Sequence, residues 1–165
     1  MIRDYDPERD REAVQRIYEE VGWTPVGKRE SLDAFLPVNR GSVAEVHGQA
    51  ECLTLTMDGE IRYLDSLLPL SVVTGVTTSH IARKQGLAAS LTAHRIADDA
   101  DRGAAVAGLS MFEQGFYNQL GFGTGAYEHI ASFDPSLLKV NHGFRPPNRL
   151  KAEDYKIIHE ARLRR

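Results

Sequence analysis

At 165 residues and 18.4 kDa, the chain can bury roughly 69% of its unfolded surface, enough for one good core and too little for two full domains. With 42% hydrophobic and 26% charged residues it is not disordered, and no run approaches the roughly 18 apolar residues of a membrane span. A net charge of −3 and a single cysteine exclude a global field for nucleic acid, an internal disulfide framework and a cysteine-built zinc site. The six histidines never fall at the i,i+4 spacing that sets two imidazoles on one helix face, so no metal is expected. Met1-Ile2-Arg3-Asp4 carries an acid within a few residues and no apolar segment, unlike a secretory signal or transit peptide, and the expected compartment is the cytoplasm.

In chain order, Ile2–Tyr5 reads as a short strand. Asp6-Pro7-Glu8 combines a helix N-cap, a proline at the first helical position and an acid in the first turn. Val14, Ile17, Tyr18 and Val21 continue at i, i+3, i+4 and i+7 until Gly22, which predicts an amphipathic helix. A loop follows at Trp23–Gly27, then a shorter helix around Ser31–Leu36 closed by Pro37. From Ser42 the period changes to two through His47 and again over Leu53–Met57, marking strands. Asp58-Gly59 before Ile61–Leu64 predicts a hairpin turn. Leu70–Thr78 reads as a strand buried on both faces, with Gly75 as a bulge or close-approach point.

The second half alternates. Leu87–Asp101 predicts a helix with an apolar stripe at Ala89, Ala93, Ile96, Ala97 and Ala100, ended by Gly103. Ala104–Met111 reads as a strand, Glu113–Leu120 as a short helix ended by Gly121, and Ala126–Phe133 as a last strand. This order implies crossover connections within one sheet. The class is α/β (α+β): a single central mixed sheet flanked by helices. Phe144-Arg145-Pro146-Pro147-Asn148 reads as an extended linker, and Ala152–Arg165 as a helix whose acidic start and basic end suit its dipole. Such a short helix is marginal alone, so it is expected to dock on its own body, on a second copy or on a domain this chain lacks.

Chemistry concentrates at Val76–Ala88, where a strand runs through Arg83-Lys84-Gln85-Gly86 straight into a helix. Helix-start N–H groups lack intrahelical acceptors and aim positive partial charge outward, so this turn is a candidate pyrophosphate cradle. Gly86 and Ala88 allow close approach, and Arg83 and Lys84 add charge-assisted contacts.

Arg83-Lys84-Gln85-Gly86-Leu87-Ala88 resembles the Q/R-x-x-G-x-G/A signature of the GNAT acyltransferases. Phe116-Tyr117-Asn118-Gln119-Leu120-Gly121-Phe122 is similar to the family's Y-x-x-x-G-F segment, and the single strand between the two motifs is also the family's arrangement. Phe112–Tyr117 followed by Gly121-Phe122-Gly123 resembles the Eis (enhanced intracellular survival) type, in which a second GNAT-like domain and a sterol-carrier-like domain follow. The chain departs from the common pattern at His80, where many members have proline, and at Ser110, where many have asparagine.

The resemblance implies a GNAT fold over residues 1–140, with 141–165 as linker and terminal helix: either the start of a second domain absent from this chain, or the final helix of a short relative that packs another way. It implies acetyl-CoA as co-substrate, with no metal, and direct transfer of acetyl to a primary amine of a small molecule or peptide. Backbone groups of Val76 and Thr78 would pair with the pantetheine amides. Arg83, Lys84, Gln85, Gly86, Leu87 and Ala88, with Ser90 nearby, would hold the pyrophosphate. Tyr117, protonated at neutral pH, would be the acid that returns a proton to the coenzyme thiolate. The general base stays open among Glu113, one turn before Tyr117, the strand residues Glu45, His47 and Glu51, and a water relay. The expected partners are the amine substrate and, through the C-terminal helix, a second copy or another contact, with neither nucleic acid nor membrane. The alternative is a non-catalytic CoA-binding GNAT-like module of a larger protein.

Plainer readings stand beside these. Tyr117 alone would pass for a core aromatic, Gly121–Gly125 for turn geometry, His80 for a solvent-facing loop residue and Cys52 for a small buried hydrophobe. Trp23 and Phe35 suit either the core or an acceptor pocket.

Overall fold

The computed structural model describes residues 1–110, 115–125, 129–139, 141, 143 and 146–164. They fall into two compact units, Met1–Gly125 and Ala126–Arg165. The first unit holds β1 (Ile2–Asp4), α1 (Pro7–Glu20), α2 (Glu30–Phe35), β2 (Arg40–Val46), β3 (Gln49–Tyr63), β4 (Ser66–Thr78), α3 (Leu87–Asp101) and β5 (Val106–Gly108). The sheet order is β1-β2-β3-β4-β5. The first four strands pair antiparallel, and β5 lies parallel to β4 after the α3 crossover, so the sheet is mixed.

Side-chain alternation puts helices on opposite faces. Val43, Leu53 and Leu55 pack with Val14 and Tyr18 of α1 and with Leu32 and Leu36, whereas Ala44 and Cys52 meet Leu91 of α3. Asp6 caps α1 by accepting from the Glu8 N–H (2.9 Å), with Pro7 at the first helical position. Pro37 does not end its segment abruptly: α2 passes into a 3₁₀ turn, Leu36–Val38.

Two expectations about the sheet and α3 are corrected. Asp58-Gly59 is not a turn. It lies inside β3, paired with Ser71 and Leu70. Asp58 is held by Arg40 (2.7 Å), and a Cβ on Gly59 would come within 2.8 Å of Val72 Cγ2, so the glycine serves close cross-strand approach. The two-residue turns are His47-Gly48, with both φ positive, and Leu64-Asp65. The anticipated alanine stripe of α3 is likewise wrong: Ala93, Ala97 and Ala100 are exposed, and the buried face is Leu91, Thr92, Arg95 and Asp99. That face is hydrogen-bonded rather than greasy. Thr92 meets Thr54 (3.3 Å), Arg95 donates to Ser42 (3.2 Å), and Asp99 accepts from Ser71 (2.6 Å) and Arg40 (3.0 Å).

The strand expected over Ala104–Met111 is shorter, Val106–Gly108, and Met111 lies outside the described residues. The helix expected from Glu113 is a 3₁₀ turn, Tyr117–Leu120, among the described residues, closed by Gly121 at φ +90°. Of the strand expected over Ala126–Phe133, the first three residues lie outside the described set, and His129–Phe133 form no strand. In the second unit, a 3₁₀ turn at Ala152–Asp154 leads into α4 (Tyr155–Leu163). No helix among the described residues is long and apolar enough to cross a membrane.

Candidate active site

The site begins with a defect in the sheet. Thr56 pairs with Val73 but Leu55 pairs with Gly75, so β4 carries one extra residue, Thr74. In an unbroken strand Ser71 and Gly75 would share a face. Here Ser71 donates to Asp99 of α3 while Gly75 faces Tyr18 of α1. The bulge turns the strand over, as such insertions do. Pairing with β5 covers only Leu70–Val72. Beyond it, the outer edge of Val73–Thr78 has no strand partner among the described residues, and its backbone groups can pair with an added strand.

A cleft of about 780 Å³ runs along that edge. Its walls are Val73–Thr78 of β4, Val21 and Trp23 after α1, Ala82–Lys84 and Gly86–Ala89 at the start of α3, and Leu109, Ser110, Phe116 and Tyr117 opposite. The α3 end is shaped for an anion. Lys84 and Gly86 both adopt left-handed backbone, at φ +61° and +74°, a turn that gathers successive N–H groups. Gly86 is the N-cap and brings no side chain, and the first turn has no acidic residue, so the positive end of the helix is uncovered. Arg83 and Lys84 are exposed and make no ion pair among the described residues.

Tyr117 stands across the cleft, half-buried. Its ring packs edge-on between Phe116 (5.0 Å between centroids) and Phe122 (5.7 Å). Asn118 braces this loop, accepting from Gly115 N–H (3.2 Å) and donating to Phe122 O (3.1 Å).

Of the residues singled out in the sequence, Val76, Thr78, Arg83, Lys84, Gly86, Leu87, Ala88 and Tyr117 share this cleft. Gln85 does not line it, and its amide turns back to Ile81 O (3.3 Å). Ser90 is exposed one turn along α3 and is also outside the lining. Glu113 lies outside the described residues. The other base candidates are elsewhere: Glu45 pairs with Arg3 and Arg9, His47 sits in the β2–β3 turn, and Glu51 is buried against Arg16 (2.9 Å). Cys52 is fully buried beside Thr78 (3.2 Å), and burial pushes its thiol pKa up. His80, half-exposed, pairs with Glu20 (3.2 Å). Trp23 faces the cleft, while Phe35 packs on the core. Among the described residues no group of three or more His, Cys, Asp or Glu side chains is arranged to hold a metal ion.

Sequence reading assigned none of Val21, Val73, Thr74 or Leu109 to a site: Val21 entered only as part of the first helix's apolar stripe, and the others had only their proximity to Gly75 and to the second motif, since a bulge leaves no composition of its own.

Residues 27–125 match the family described as "Acetyltransferase (GNAT) domain". No curated protein matches the chain. Among solved structures, the chain is similar to glucosamine-6-phosphate N-acetyltransferase from Arabidopsis thaliana (14% identity, TM-score 0.64, covering 81% of this chain and 98% of that one). It is similar to an acetyltransferase from Trypanosoma brucei (15%, TM-score 0.62, 81% and 99%). It also resembles a conserved protein of unknown function from Enterococcus faecalis (17%, TM-score 0.65), covering 73% of this chain but 31% of that one. At these identities the likeness is one of fold.

Proposed function

The chain belongs to the GNAT acetyltransferase family, and from that premise we propose that it is an acetyl-CoA-dependent N-acetyltransferase acting directly on a primary amine of a small molecule or peptide. The observation that carries this is a single cleft joining three features: a β4 edge with no strand partner among the described residues, a helix start without a side-chain cap behind two left-handed residues, and a phenol opposite. They fit the coenzyme chemically. An extended arm with two amides suits a free strand edge, and a pyrophosphate suits the N–H-rich turn with Arg83 and Lys84.

In this reading Val76 and Thr78 hold the arm by backbone hydrogen bonds. Arg83, Lys84, Gly86, Leu87 and Ala88 hold the phosphates, and Gln85 and Ser90 stand at the margin. Tyr117 gives its proton to the departing thiolate. The amine proton leaves through water or through Glu113. Trp23 and Val21 border the acceptor. The Eis-type subgroup, a cytoplasmic setting, a contact made through the terminal helix, a division at residue 140 and independence from nucleic acid, membrane and metal belong to the same proposal, supported by the motifs and the net charge.

Calorimetry with acetyl-CoA followed by turnover on a panel of amines tests it. The expected result is saturable binding and acetylation, with Tyr117→Phe reducing kcat roughly 10²–10⁴-fold while coenzyme affinity holds. Absence of binding at high micromolar acetyl-CoA would overturn it. A second reading, a non-catalytic coenzyme-binding module of a larger protein, is favoured by one observation: Glu45, His47 and Glu51 all lie away from the cleft. Binding without acetylation of any amine in the panel would select that reading.

A further inference from the structure

β3 and β4 run on past the rest of the sheet as a two-stranded arm. β2 pairs with β3 only from Gln49 to Thr56, and β5 meets β4 only at Leu70–Val72, whereas β3 and β4 stay paired out to Tyr63 and Ser66. Such a ribbon is marginal in water by itself, and this one carries exposed Ile61, Tyr63, Leu64 and Leu67. Its two edges differ. The β4 edge is guarded, because Pro69 has no N–H to offer and its carbonyl already accepts from the Ala105 N–H (2.9 Å). The β3 edge beyond Thr56 has no strand partner among the described residues, and no proline interrupts it before the Leu64-Asp65 turn. Glu60 and Arg62, exposed on one face of that edge, make no ion pair among the described residues.

We propose that this edge pairs with the same edge of a second copy of the chain, antiparallel and with Ile61 on the two-fold axis, joining the two sheets. The register follows from charge. With Ile61 opposite its own equivalent, Glu60 meets the partner's Arg62 and Arg62 meets the partner's Glu60, so each ion finds its opposite across the axis. An axis at Glu60 or at Arg62 would set like charges face to face, and an axis at Gly59 would set Asp58 against Glu60.

The other face and the ends fit the same register. Gly59 comes opposite the partner's Tyr63, and Val72 Cγ2 and Leu70 Cδ2 floor the space where a Cβ on residue 59 would sit. That is an apolar seat for the ring, an aromatic covering a glycine across the strands. The partner's Leu64-Asp65 turn falls level with Asp58 and Met57, just short of Thr56, where Arg40 begins β2. The partner's strand therefore continues the line of β2 without overlapping it. This contact goes beyond the acetyltransferase reading, does not depend on it and uses a different surface from the terminal helix. It is small, below about 1,200 Å² in total, so a dissociation constant of roughly micromolar order is expected.

Sedimentation of the full chain across the micromolar range should show a reversible monomer–dimer equilibrium. Glu60→Arg sets arginine against arginine on both sides of the axis, and Arg62→Glu sets glutamate against glutamate. Each should weaken the dimer by roughly ten-fold or more. Both positions are exposed, so at a dilution where every protein is monomeric the variants should melt within about 2 °C of wild type. An equimolar mixture of E60R with R62E restores opposite charges at both crossings and should dimerise as tightly as wild type. A wild type that stays monomeric throughout would overturn the assignment. So would single variants that dimerise as well as wild type, which would put the contact on another surface, or a mixture no tighter than its parts.

Discussion

Gly75 and Tyr18 make a pair that can be tested apart from catalysis. A methyl on Gly75 meets the Tyr18 hydroxyl at 2.8 Å, while its next neighbour, Leu55 Cδ1, is at an ordinary 3.6 Å. Overpacking of this kind costs about 1–3 kcal/mol. Gly75→Ala should therefore lower stability by that amount in urea unfolding. In a Tyr18→Phe background most of the loss should vanish, because the clashing oxygen is gone. Equal losses in both backgrounds would locate the strain elsewhere on β4. The hydroxyl also gives the protein an alkaline signature. Its folded pKa, near 12, exceeds the unfolded value near 10, so stability is intact below pH 10 and declines as pH rises toward 12. The decline reaches on the order of 2–3 kcal/mol and should be absent from Tyr18→Phe.

At the scale of an element, α3 shows why periodicity both worked and failed. Its ends were legible because Gly86 and Gly103 flank a run of good helix formers. Its buried face was not, because Thr92, Arg95 and Asp99 are polar and a hydrophobic stripe is the only signal periodicity reads. What buries them is a network spanning the helix and four strands, with Arg95 reaching Asp4 (3.3 Å), Thr92 meeting Thr54 and Asp99 joining Arg40 to Ser71. Burial pulls the Asp99 pKa up, but the Ser71 and Arg40 hydrogen bonds outweigh it and hold the carboxyl below its ordinary value. Asp10 is similar: burial is overcome by its two hydrogen bonds from Arg3, both 2.6 Å. Both contributions are complete above about pH 4 and drain away as pH falls through the lower folded-state values. Asp99→Asn should cost roughly 3 kcal/mol at pH 7, since it leaves the buried Arg95 and the partly buried Arg40 undercompensated. It should also unfold less steeply with acid than wild type. An unchanged acid slope would mean Asp99 is not among the groups driving acid unfolding. The misplaced hairpin has the same kind of origin. Asp-Gly is a turn signal only if nothing else needs those residues, and Arg40 and Val72 do. Leu64-Asp65 closes that hairpin instead, with Leu64 at φ +54° where asparagine or aspartate is the usual signal.

Across the whole of the Met1–Gly125 unit, the cradle and the phenol were readable because each sits in a short motif, whereas the opening between them comes from the mismatch of β4 and β5, which no local pattern encodes. Parallel pairing stops at Val72 because the bulge turns β4 over immediately afterwards. A ligand seated along that edge would add backbone pairing beyond what the described residues supply and stabilise the sheet by mass action. At 100 times its dissociation constant, the gain is about 2.7 kcal/mol, or roughly 5–10 °C in Tm for a protein of this size. CoA should therefore raise the melting temperature by that much, and the rise should shrink with salt, because Arg83 and Lys84 are exposed and screened. Lys84→Gly keeps the left-handed turn at φ +61° while removing the ammonium. It should weaken CoA about five-fold at low ionic strength and scarcely at all in molar salt. Gly86→Ala should weaken it at every salt concentration, since there the backbone itself is strained. If both variants lost affinity with the same salt dependence, charge and backbone geometry would not be separable parts of the cradle, and the anion would have to be held from another wall of the cleft.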